Sequence, residues 1–393
     1  MNGMSDKLAT ELLTKLLAIP GPSGREGQVV EFIRQQLLAA GAPAKALQSD
    51  QAHRRISPDC EVGNLVLRLP GTVRGPRRML VAHMDTVPIC EGCRPVRRGK
   101  RITSADADTG LGGDDRAGVA VLLSTAIAIL KNKLPHPPLT FLWTVHEEGG
   151  LHGAKNVRLG LLGKPKLAFN FDGSDPNRLT LGATGGYRLN IEIRGIASHA
   201  GGHPEQGVSA IAIAALATTD LVNNGWHGLI EKGRQCGTSN IGTITGGVAT
   251  NVVADLVRIR AEARSHQPKF RERIVREIEK AFYKAAKQVR STDGRCGQVT
   301  ISGQLDYEAF RMKQDEPSVL AAAAAVESVG QSVEYTIANG GLDANWLTAR
   351  GIPTVSLGCG QHDIHTVDEW LDLDQFQIAR KIALQIATET GSR

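Results

Sequence analysis

Short apolar runs that end in acidic residues or histidines constrain the fold of this chain more than any other feature of its sequence. Each run has the length of a buried strand and is bounded by turn residues. The runs are Met79–Ala82, Leu139–Val145, Leu167–Phe171 and Thr354–Leu357, followed by His83 with Asp85, Glu147 with Glu148, Asp172, and His362 with His365. A helical pattern separates the first two runs, so we expect an α/β domain whose mixed, mostly parallel sheet lies between helices. In such sheets ligands bind beyond the carboxyl ends of the strands.

The middle of the chain has a different pattern. After a glycine-rich stretch at 182–186, the segments Tyr187–Arg194 and Val257–Arg264 alternate polar and apolar residues, which is typical of half-buried antiparallel strands. Helical patterns occupy Val208–Val222 and Lys269–Val289. The sequence therefore predicts an inserted α+β domain with a four-stranded antiparallel sheet and two helices.

The α/β pattern resumes near Glu316 and continues to a final helix, so the first domain is expected to be discontinuous. We predict a catalytic domain at 1–184 and 306–393 and an inserted lid or dimerisation domain at 185–305. Gly185 and Gly186 would provide a hinge between them.

Composition excludes several classes of protein. The chain has 393 residues, of which 41% are hydrophobic, so it can bury a large core. No apolar run is long enough to span a membrane, and the first residues predict an amphipathic helix instead of a secretion signal. The net charge of +6 is mild, and 4% aromatic residues leave little for stacking on nucleic-acid bases. Six unevenly spaced cysteines fit reduced thiols, so we expect a cytoplasmic protein without a nucleic-acid or membrane partner.

A glycine-rich loop at 110–118 carries the adjacent acids Asp114 and Asp115 at the start of a helix. A phosphate-binding loop is disfavoured, because two carboxylates repel phosphate and no Gly-Lys-Ser/Thr ending follows. The two acids could instead stabilise the helix dipole. A metal site is the alternative that the other strand ends favour.

Two further pairs of residues have the spacing of a metal site. His83 and Asp85 point to the same side of a strand, so the carboxylate can orient the imidazole of a metal ligand. Glu147 and Glu148 repel each other unless a cation or a proton lies between them. One glutamate could bind metal while its neighbour acts as a general base. Each pair alone is also common in solvated turns.

The ordered motifs resemble the co-catalytic di-zinc peptidases, a family that includes peptidase T (tripeptidase), glutamate carboxypeptidase, aminoacylase and succinyl-diaminopimelate desuccinylase. The resemblance covers nearly the whole chain. Its motifs are IPGPSGREG, VAHMDTVP, GGDDRAG, HEEGGLHGA, NFDGS, SHAGGHPEQGVSAI, ATNVVADLVRIRAEARS, GGLDAN, GIPTVSLGCG and HTVDEW.

The resemblance implies a site with two zinc ions, for which cobalt or manganese could substitute. By this resemblance His83 and Asp172 bind one ion, Glu148 and His365 bind the other, and Asp114 bridges both. The spacing alone does not decide between His362 and His365, although the Glu-Trp pair that follows favours the latter.

Catalytic and substrate-binding roles are also implied by the resemblance. Glu147 would be the general base on the water that bridges the zinc ions, and Asp85 would orient a zinc ligand. In the inserted domain His199 would donate to the oxyanion, in some dimeric relatives from the partner subunit. Asn251 and Arg264 would hold the backbone and carboxylate of the substrate.

The predicted function is hydrolysis of short peptides by an aminopeptidase or tripeptidase similar to peptidase T, acting as a homodimer formed through the lid. Asp at position 172 favours this branch, because relatives with Glu there tend to be carboxypeptidases and deacylases. The alternatives are an N-acyl amino acid deacylase or carboxypeptidase on the same scaffold, and a non-catalytic peptide-binding protein. The basic run at 94–101 is interpreted as a solvated loop, and Cys90 and Cys93 as incidental thiols.

Overall fold

The computed structural model describes residues 3–389, which form two compact units. One unit contains the chain up to Ala183 and from Arg311 onward, and the other is Thr184–Phe310. The units thus change at 183/184 and 310/311, where the sequence predicted 184/185 and 305/306.

The helices and strands follow one another in short alternation through most of the chain. The helices are α1 (Asp6–Leu17), α2 (Gly27–Ala39), α3 (His53–Ile56), α4 (Gly113–Asn132), α5 (His152–Asn156), α6 (Leu159–Leu162), α7 (Ala210–Asn223), α8 (Pro268–Gln288), α9 (Pro317–Ser328), α10 (Asp343–Ala349) and α11 (Leu373–Thr388). The strands are β1 (Leu47–Ser49), β2 (Leu65–Leu69), β3 (Arg78–His83), β4 (Pro95–Arg98), β5 (Arg101–Ser104), β6 (Leu139–Thr144), β7 (Leu167–Phe171), β8 (Arg178–Ala183), β9 (Gly185–Arg194), β10 (Gly228–Lys232), β11 (Gln235–Gly246), β12 (Leu256–Ser265), β13 (Gln298–Tyr307), β14 (Phe310–Arg311), β15 (Glu334–Ala338), β16 (Thr354–Leu357), β17 (Gln361–His362) and β18 (Trp370–Asp372).

The two-segment unit contains a mixed sheet in the strand order β1-β2-β6-β3-β7-β16-β8-β14, with β15 paired to β8. Its central strands β6, β3, β7 and β16 pair in parallel, so their carboxyl ends lie along the same edge. These are the four apolar runs of the sequence, and every residue of these four strands is buried. The predicted α/β fold with a mixed sheet is confirmed.

Helices cover both faces of this sheet because its strands carry apolar residues on both sides. Every residue of α4 from Gly113 to Ile129 is buried, and after its charged first turn this helix is mostly apolar on all sides, as expected for a buried helix. A Cβ on Gly118 would lie 2.0 Å from the carbonyl oxygen of Phe171, so only glycine lets α4 approach the end of β7. This close approach brings the acidic start of α4 to the edge where the strands end.

A small antiparallel sheet in the same unit has the order β17-β18-β5-β4. Its strands β4 and β5 form the hairpin that contains the basic run at 94–101. Strand β18 pairs with β5 on one side and β17 on the other, so the hairpin supports the loop that leads to His365.

The Thr184–Phe310 unit has a five-stranded antiparallel sheet in the order β10-β11-β12-β9-β13, packed on α7 and α8. The two helices agree with the sequence prediction, but the sheet has one strand more than the four expected. The sequence had placed β9 and β12, and the remaining strands are β10, β11 and β13. Strand β10 forms a tight hairpin with β11 through Lys232 and Gln235. Its burial does not alternate regularly, so periodicity gave no signal for it.

Across residues 3–389, every helix is too short or too polar to cross a lipid bilayer.

Candidate metal centre

The carboxyl ends of the four parallel strands bring together residues that are far apart in the sequence. His83 is the last residue of β3, and Asp172 follows β7 directly. Glu147 and Glu148 lie in the turn after β6. After β16 the chain passes through β17 and reaches His365. Parallel pairing, rather than sequence distance, therefore builds this cluster.

His83, Asp114 and Asp172 form one group that could hold a metal ion. One potential ligand atom from each side chain lies within 4.8 Å of the other two. His83 Nε2 is 3.1 Å from Asp114 Oδ1. His83 and Asp114 are buried, and Asp172 is partly exposed.

Asp114, Glu148 and His365 form a second group of the same kind. His365 Nε2 lies 2.9 Å from Glu148 Oε1 and 3.3 Å from Asp114 Oδ2. Asp114 thus faces an imidazole of the first group with one carboxylate oxygen and an imidazole of the second group with the other. Asp114 is therefore common to both groups of potential ligand atoms.

Glu147 belongs to neither of these groups but lies against both. Its carboxylate, His83 and Glu148 also have potential ligand atoms within 4.8 Å of one another. The side chain is only 7% exposed. The buried carboxyl group of Glu147 therefore lies beside both sets of potential ligands without belonging to either.

The structure separates the two histidines that sequence spacing left open. His365 lies beside Asp114 and Glu148, whereas His362 Nε2 lies 2.7 Å from Gln375 Oε1. The His362 ring also stacks on Trp370 with centroids 4.3 Å apart. His362 is thus engaged away from the carboxylates.

Asp85 is fully buried and organises the turn after β6. Its carboxylate accepts hydrogen bonds from the backbone N–H groups of Glu147 (2.9 Å) and Glu148 (3.1 Å) and from the Ser23 hydroxyl (2.5 Å). The ring atom His83 Nδ1 lies 3.1 Å from the backbone carbonyl oxygen of Asp85 and 3.5 Å from the side-chain atom Asp85 Oδ1. Asp85 therefore positions both glutamates as well as the imidazole.

Glu369 was not assigned a role from the sequence, although it belongs to the HTVDEW motif. Its side chain is buried and accepts hydrogen bonds from the backbone N–H groups of Gly112 (2.6 Å) and Asp114 (3.0 Å). The Cys90 thiol donates to the same carboxylate at 3.6 Å. Glu369 thus fixes the loop that carries the shared carboxylate.

The two residues that follow Asp114 in the chain, Asp115 and Arg116, are also buried. Asp115 accepts hydrogen bonds from the backbone N–H groups of His83 (3.1 Å) and Gly118 (3.0 Å). Arg116 is 1% exposed and donates weakly to the Leu16 carbonyl oxygen. Its guanidinium is a buried positive charge beside the acidic cluster, and burial lowers its pKa to about 10.

Glu26, from the IPGPSGREG motif, was also missed. It is fully buried, and one carboxylate oxygen accepts from the backbone N–H groups of Gly24 and His146, both at 2.9 Å. Its other oxygen has no hydrogen-bond partner. Glu26 connects the turn before α2 to the turn that carries Glu147. Its position at the start of a helix, next to a glycine-rich turn, was the available signal.

The crowded carboxyl groups have strongly shifted pKa values. Burial and the nearby Asp114 carboxylate raise the pKa of Asp172 to about 7. Burial likewise raises the pKa of Glu147 well above its usual range. Asp114 differs from these two: although burial opposes ionisation, hydrogen bonds with His365 and His83 hold its pKa below the usual range. The same contacts with Asp114 and Glu148 raise the pKa of His365 to about 10.

The donor set fits divalent metal ions. Burial disfavours the charged forms of these crowded carboxyl groups unless nearby positive charge offsets their negative charge. A divalent cation would supply that charge directly. Imidazole nitrogens together with carboxylate oxygens suit zinc and similar ions, and a shared carboxylate suits two of them.

The predicted residues His199, Asn251 and Arg264 all lie in the inserted unit. His199 and Asn251 are exposed and adjacent: the Ala200 N–H donates to the Asn251 carbonyl oxygen at 2.9 Å. His199 Nδ1 accepts from the backbone N–H groups of Gly201 and Gly202, which leaves Nε2 as a donor. Arg264, on β12, pairs through two hydrogen bonds with Glu262.

The basic run and the cysteines have structural contacts of their own. The guanidinium of Arg101 lies 3.5 Å from the ring centroid of Trp370. Cys90 and Cys93 are buried, and all six cysteines are free. Burial raises the pKa of Cys90 above its usual range, so its thiol is weakly reactive.

The fold and the cluster of acids and histidines are those of a metallopeptidase, and comparison with known families agrees. Residues 79–389 match the family described as Peptidase family M20/M25/M40. The chain belongs to this family, so the resemblance inferred from the ordered motifs is confirmed.

Individual relatives are similar over almost the whole chain. A tripeptidase from Staphylococcus aureus is 30% identical with a TM-score of 0.87, covering 98% of this chain and 99% of its own. Aminopeptidase PepT from Bacillus cereus is 29% identical with a TM-score of 0.82, covering 98% of each chain. Peptidase T of Salmonella newport is 26% identical over 431 residues, covering 98% of this chain and 96% of the relative.

Proposed function

We propose that this protein is an aminopeptidase that removes residues from short peptides with a free amino terminus, as a tripeptidase similar to peptidase T. Membership of the peptidase family supports hydrolysis of peptide bonds. The two similar structures are a tripeptidase and an aminopeptidase, which supports the narrower substrate class. The aspartate at position 172 favours the same branch.

The proposed cofactor is a pair of zinc ions, with cobalt or manganese as substitutes. His83 and Asp172 would hold one ion, Glu148 and His365 the other, and Asp114 both. The support is that these side chains form two groups of potential ligand atoms that share Asp114. Bound metal would polarise the scissile carbonyl group and make an attacking water more acidic.

Glu147 is proposed as the general base. Its carboxylate would take a proton from the attacking water and then transfer it to the nitrogen of the departing amine. Its burial beside His83 and Glu148 supports this role, because a carboxyl group with a raised pKa can both accept and return a proton. Asp85 would keep His83 and the two glutamates in place through the hydrogen bonds described above.

The inserted unit is proposed to supply the remaining substrate contacts. His199 would donate its Nε2–H to the oxygen of the scissile carbonyl group as negative charge develops there. This role is supported by the hydrogen bonds that Nδ1 accepts, which leave the proton on Nε2. Asn251 and Arg264 would hold the backbone and the carboxylate of the peptide. The predicted hinge at Gly185 and Gly186 was wrong, because both glycines are buried at the start of β9 and pair with β12.

The observation that carries the proposal is Asp114 shared between two imidazole–carboxylate groups, with Glu147 buried against both. The test offers free and N-acetylated di-, tri- and tetrapeptides to the metal-loaded protein and measures released amine. We expect cleavage of the free peptides only. Preference for acylated amino acids would instead identify a deacylase, and release of carboxyl-terminal residues a carboxypeptidase.

A non-catalytic peptide-binding protein is the alternative from another class. It predicts that peptides bind without any amine being released, so the same assay with a binding measurement separates the two.

We also propose a homodimer formed through the inserted unit. Helix α7 exposes apolar side chains at Ile211, Leu216 and Val222, which a second subunit could cover. Sedimentation should give a dimer for the natural protein and a monomer for Ile211→Glu combined with Val222→Glu. We also propose that the protein is cytoplasmic, because the free cysteines of this chain would stay reduced in that compartment.

A further inference from the structure

Gln361 contacts two of the proposed metal ligands at once. Its Nε2 lies 3.1 Å from Asp114 Oδ1 and 3.1 Å from Asp172 Oδ1. The side chain is 1% exposed, and its Oε1 is buried without a hydrogen-bond partner. The opposite amide orientation would place Oε1 against two carboxylates, so the contacts themselves fix which atom faces them.

The backbone around Gln361 is held to the strand end that carries Asp172. The Cys359 N–H donates to the Gly173 carbonyl oxygen and the Gly360 N–H to the Ser174 carbonyl oxygen, both at 2.7 Å. Gly360 has φ +92°, and a Cβ there would lie 2.6 Å from the Asp372 carbonyl oxygen. Strand β17 then pairs with β18, which places Gln361 opposite Leu371. The amide therefore has little freedom to move away from the carboxylates.

An amide is suited to this position for electrostatic reasons. Its NH₂ group has two hydrogens, one for each carboxylate, and so it reduces the repulsion between Asp114 and Asp172 without bringing a full positive charge. A lysine there would compete with a cation for the same oxygens. Each carboxylate oxygen has two lone pairs, so one can bind metal while the other keeps the bond from Gln361.

We propose that Gln361 is a positioning residue that holds Asp114 and Asp172 at ligand spacing before metal arrives and so strengthens the metal site formed with His83. This inference rests on the proposed two-metal function. Hydrogen bonds of this kind to metal ligands typically change metal affinity by about 10–100-fold. The second site shares only Asp114 with Gln361 and should depend on it less.

The test is a zinc titration of the metal-stripped full-length protein in competition with a chelating dye. Gln361→Met keeps the length of the side chain but donates no hydrogen bond, and Gln361→Leu is a second non-donating variant. Gln377→Met is the matched control, because Gln377 donates to Thr10 Oγ1 at 3.2 Å, outside both candidate metal groups. We expect both Gln361 variants to bind one of two zinc ions about 10–100-fold more weakly, and the control to bind both normally.

The outcomes separate this inference from the proposed function. If the natural protein binds no zinc, the two-metal function fails and the inference fails with it. If the natural protein binds two ions and the Gln361 variants bind both equally well, only the inference is overturned. If both variants fail to fold, as judged by circular dichroism and thermal unfolding, Gln361 supports the fold and its positioning role is also overturned.

Discussion

At the scale of single residues, Asp85 shows how one buried carboxylate positions several others. Its oxygens accept from two backbone N–H groups of the turn after β6 and from the Ser23 hydroxyl. Although burial opposes ionisation, hydrogen bonds with His83, Ser23 and that turn hold the pKa of Asp85 below its usual range. A charged acceptor can therefore remain buried here, because these hydrogen bonds favour its ionised form.

Glu147 provides the most direct test of catalysis at this scale. We expect Glu147→Gln to keep its metal and its melting temperature but to lose about 10²–10⁴-fold in kcat, since a general base contributes that much. Metal analysis and steady-state kinetics measure the two effects. Glu148→Gln is the comparison and should lose metal affinity. Normal turnover in Glu147→Gln would remove this residue as the base.

Glu26 should make stability depend on pH. Burial and the nearby Asp85 carboxylate raise its pKa from 4.5 to about 7 in the folded protein, so the folded state binds its proton more tightly than the unfolded chain. The folded state therefore loses stability as pH rises from 4.5 to 7, by roughly 3 kcal/mol at most. Glu26→Gln removes this loss, so the variant should gain stability over the natural protein across that pH range.

Urea unfolding of the metal-free protein between about pH 5 and pH 8 measures this difference. The exposed Glu61, which accepts from the Gly27 N–H, provides the control variant Glu61→Gln. A constant difference between Glu26→Gln and the natural protein at all pH values would contradict the expectation.

At the scale of elements, the β17–β18 hairpin connects the small sheet to the metal centre. It carries Gln361 at one end and leads through a loop to His365. Trp370 on β18 lies between the Arg101 guanidinium and the His362 ring. The basic run thus contributes at least one side chain to the support of this hairpin, beyond the solvated loop that the sequence indicated.

Glu369 connects this hairpin to the start of α4. We expect Glu369→Ala to lower the free energy of unfolding by at least about 2 kcal/mol, because hydrogen bonds to a buried charge contribute about 1.5–3 kcal/mol each. Both metal sites should weaken together, since Glu369 holds the backbone of the shared Asp114.

Denaturant unfolding and zinc titration test the Glu369 variant. Glu334→Ala is the control, because this exposed glutamate only pairs with Arg178 on the surface and should change stability by about 1 kcal/mol or less. If Glu369→Ala binds zinc normally, the loop does not need this anchor.

At the scale of the whole molecule, all five proposed metal ligands belong to the two-segment unit. Metal should therefore stabilise that unit and leave the inserted unit almost unchanged. At a free metal concentration 100 times the dissociation constant, each bound ion adds about 2.7 kcal/mol. Calorimetry of the metal-free and zinc-loaded protein should show two unfolding transitions. Zinc should raise the melting temperature of the transition of the two-segment unit and leave that of the inserted unit unchanged. Equal shifts of all unfolding transitions, or none, would contradict this assignment.

Much of the molecule was predictable from sequence because the relevant signals are local. A buried strand needs a short apolar run, and residues at the ends of parallel strands must meet at one edge. The inserted unit was visible as a change from continuous apolar runs to alternation. Alternation located only β9 and β12 there, because β10, β11 and β13 have few buried residues and leave little periodic signal.

The ordered motifs by themselves determined the family of this protein and a set of acids and histidines at one sheet edge. Tertiary structure decided the rest, because hydrogen bonds between distant residues leave no periodic trace in a sequence. The ring stack on Trp370 separated His362 from His365, and the backbone bonds that hold residues 359 and 360 beside the end of β7 brought Gln361 to two carboxylates. Burial then set the pKa values, since a carboxyl group's acidity depends on neighbours that only the folded chain brings together.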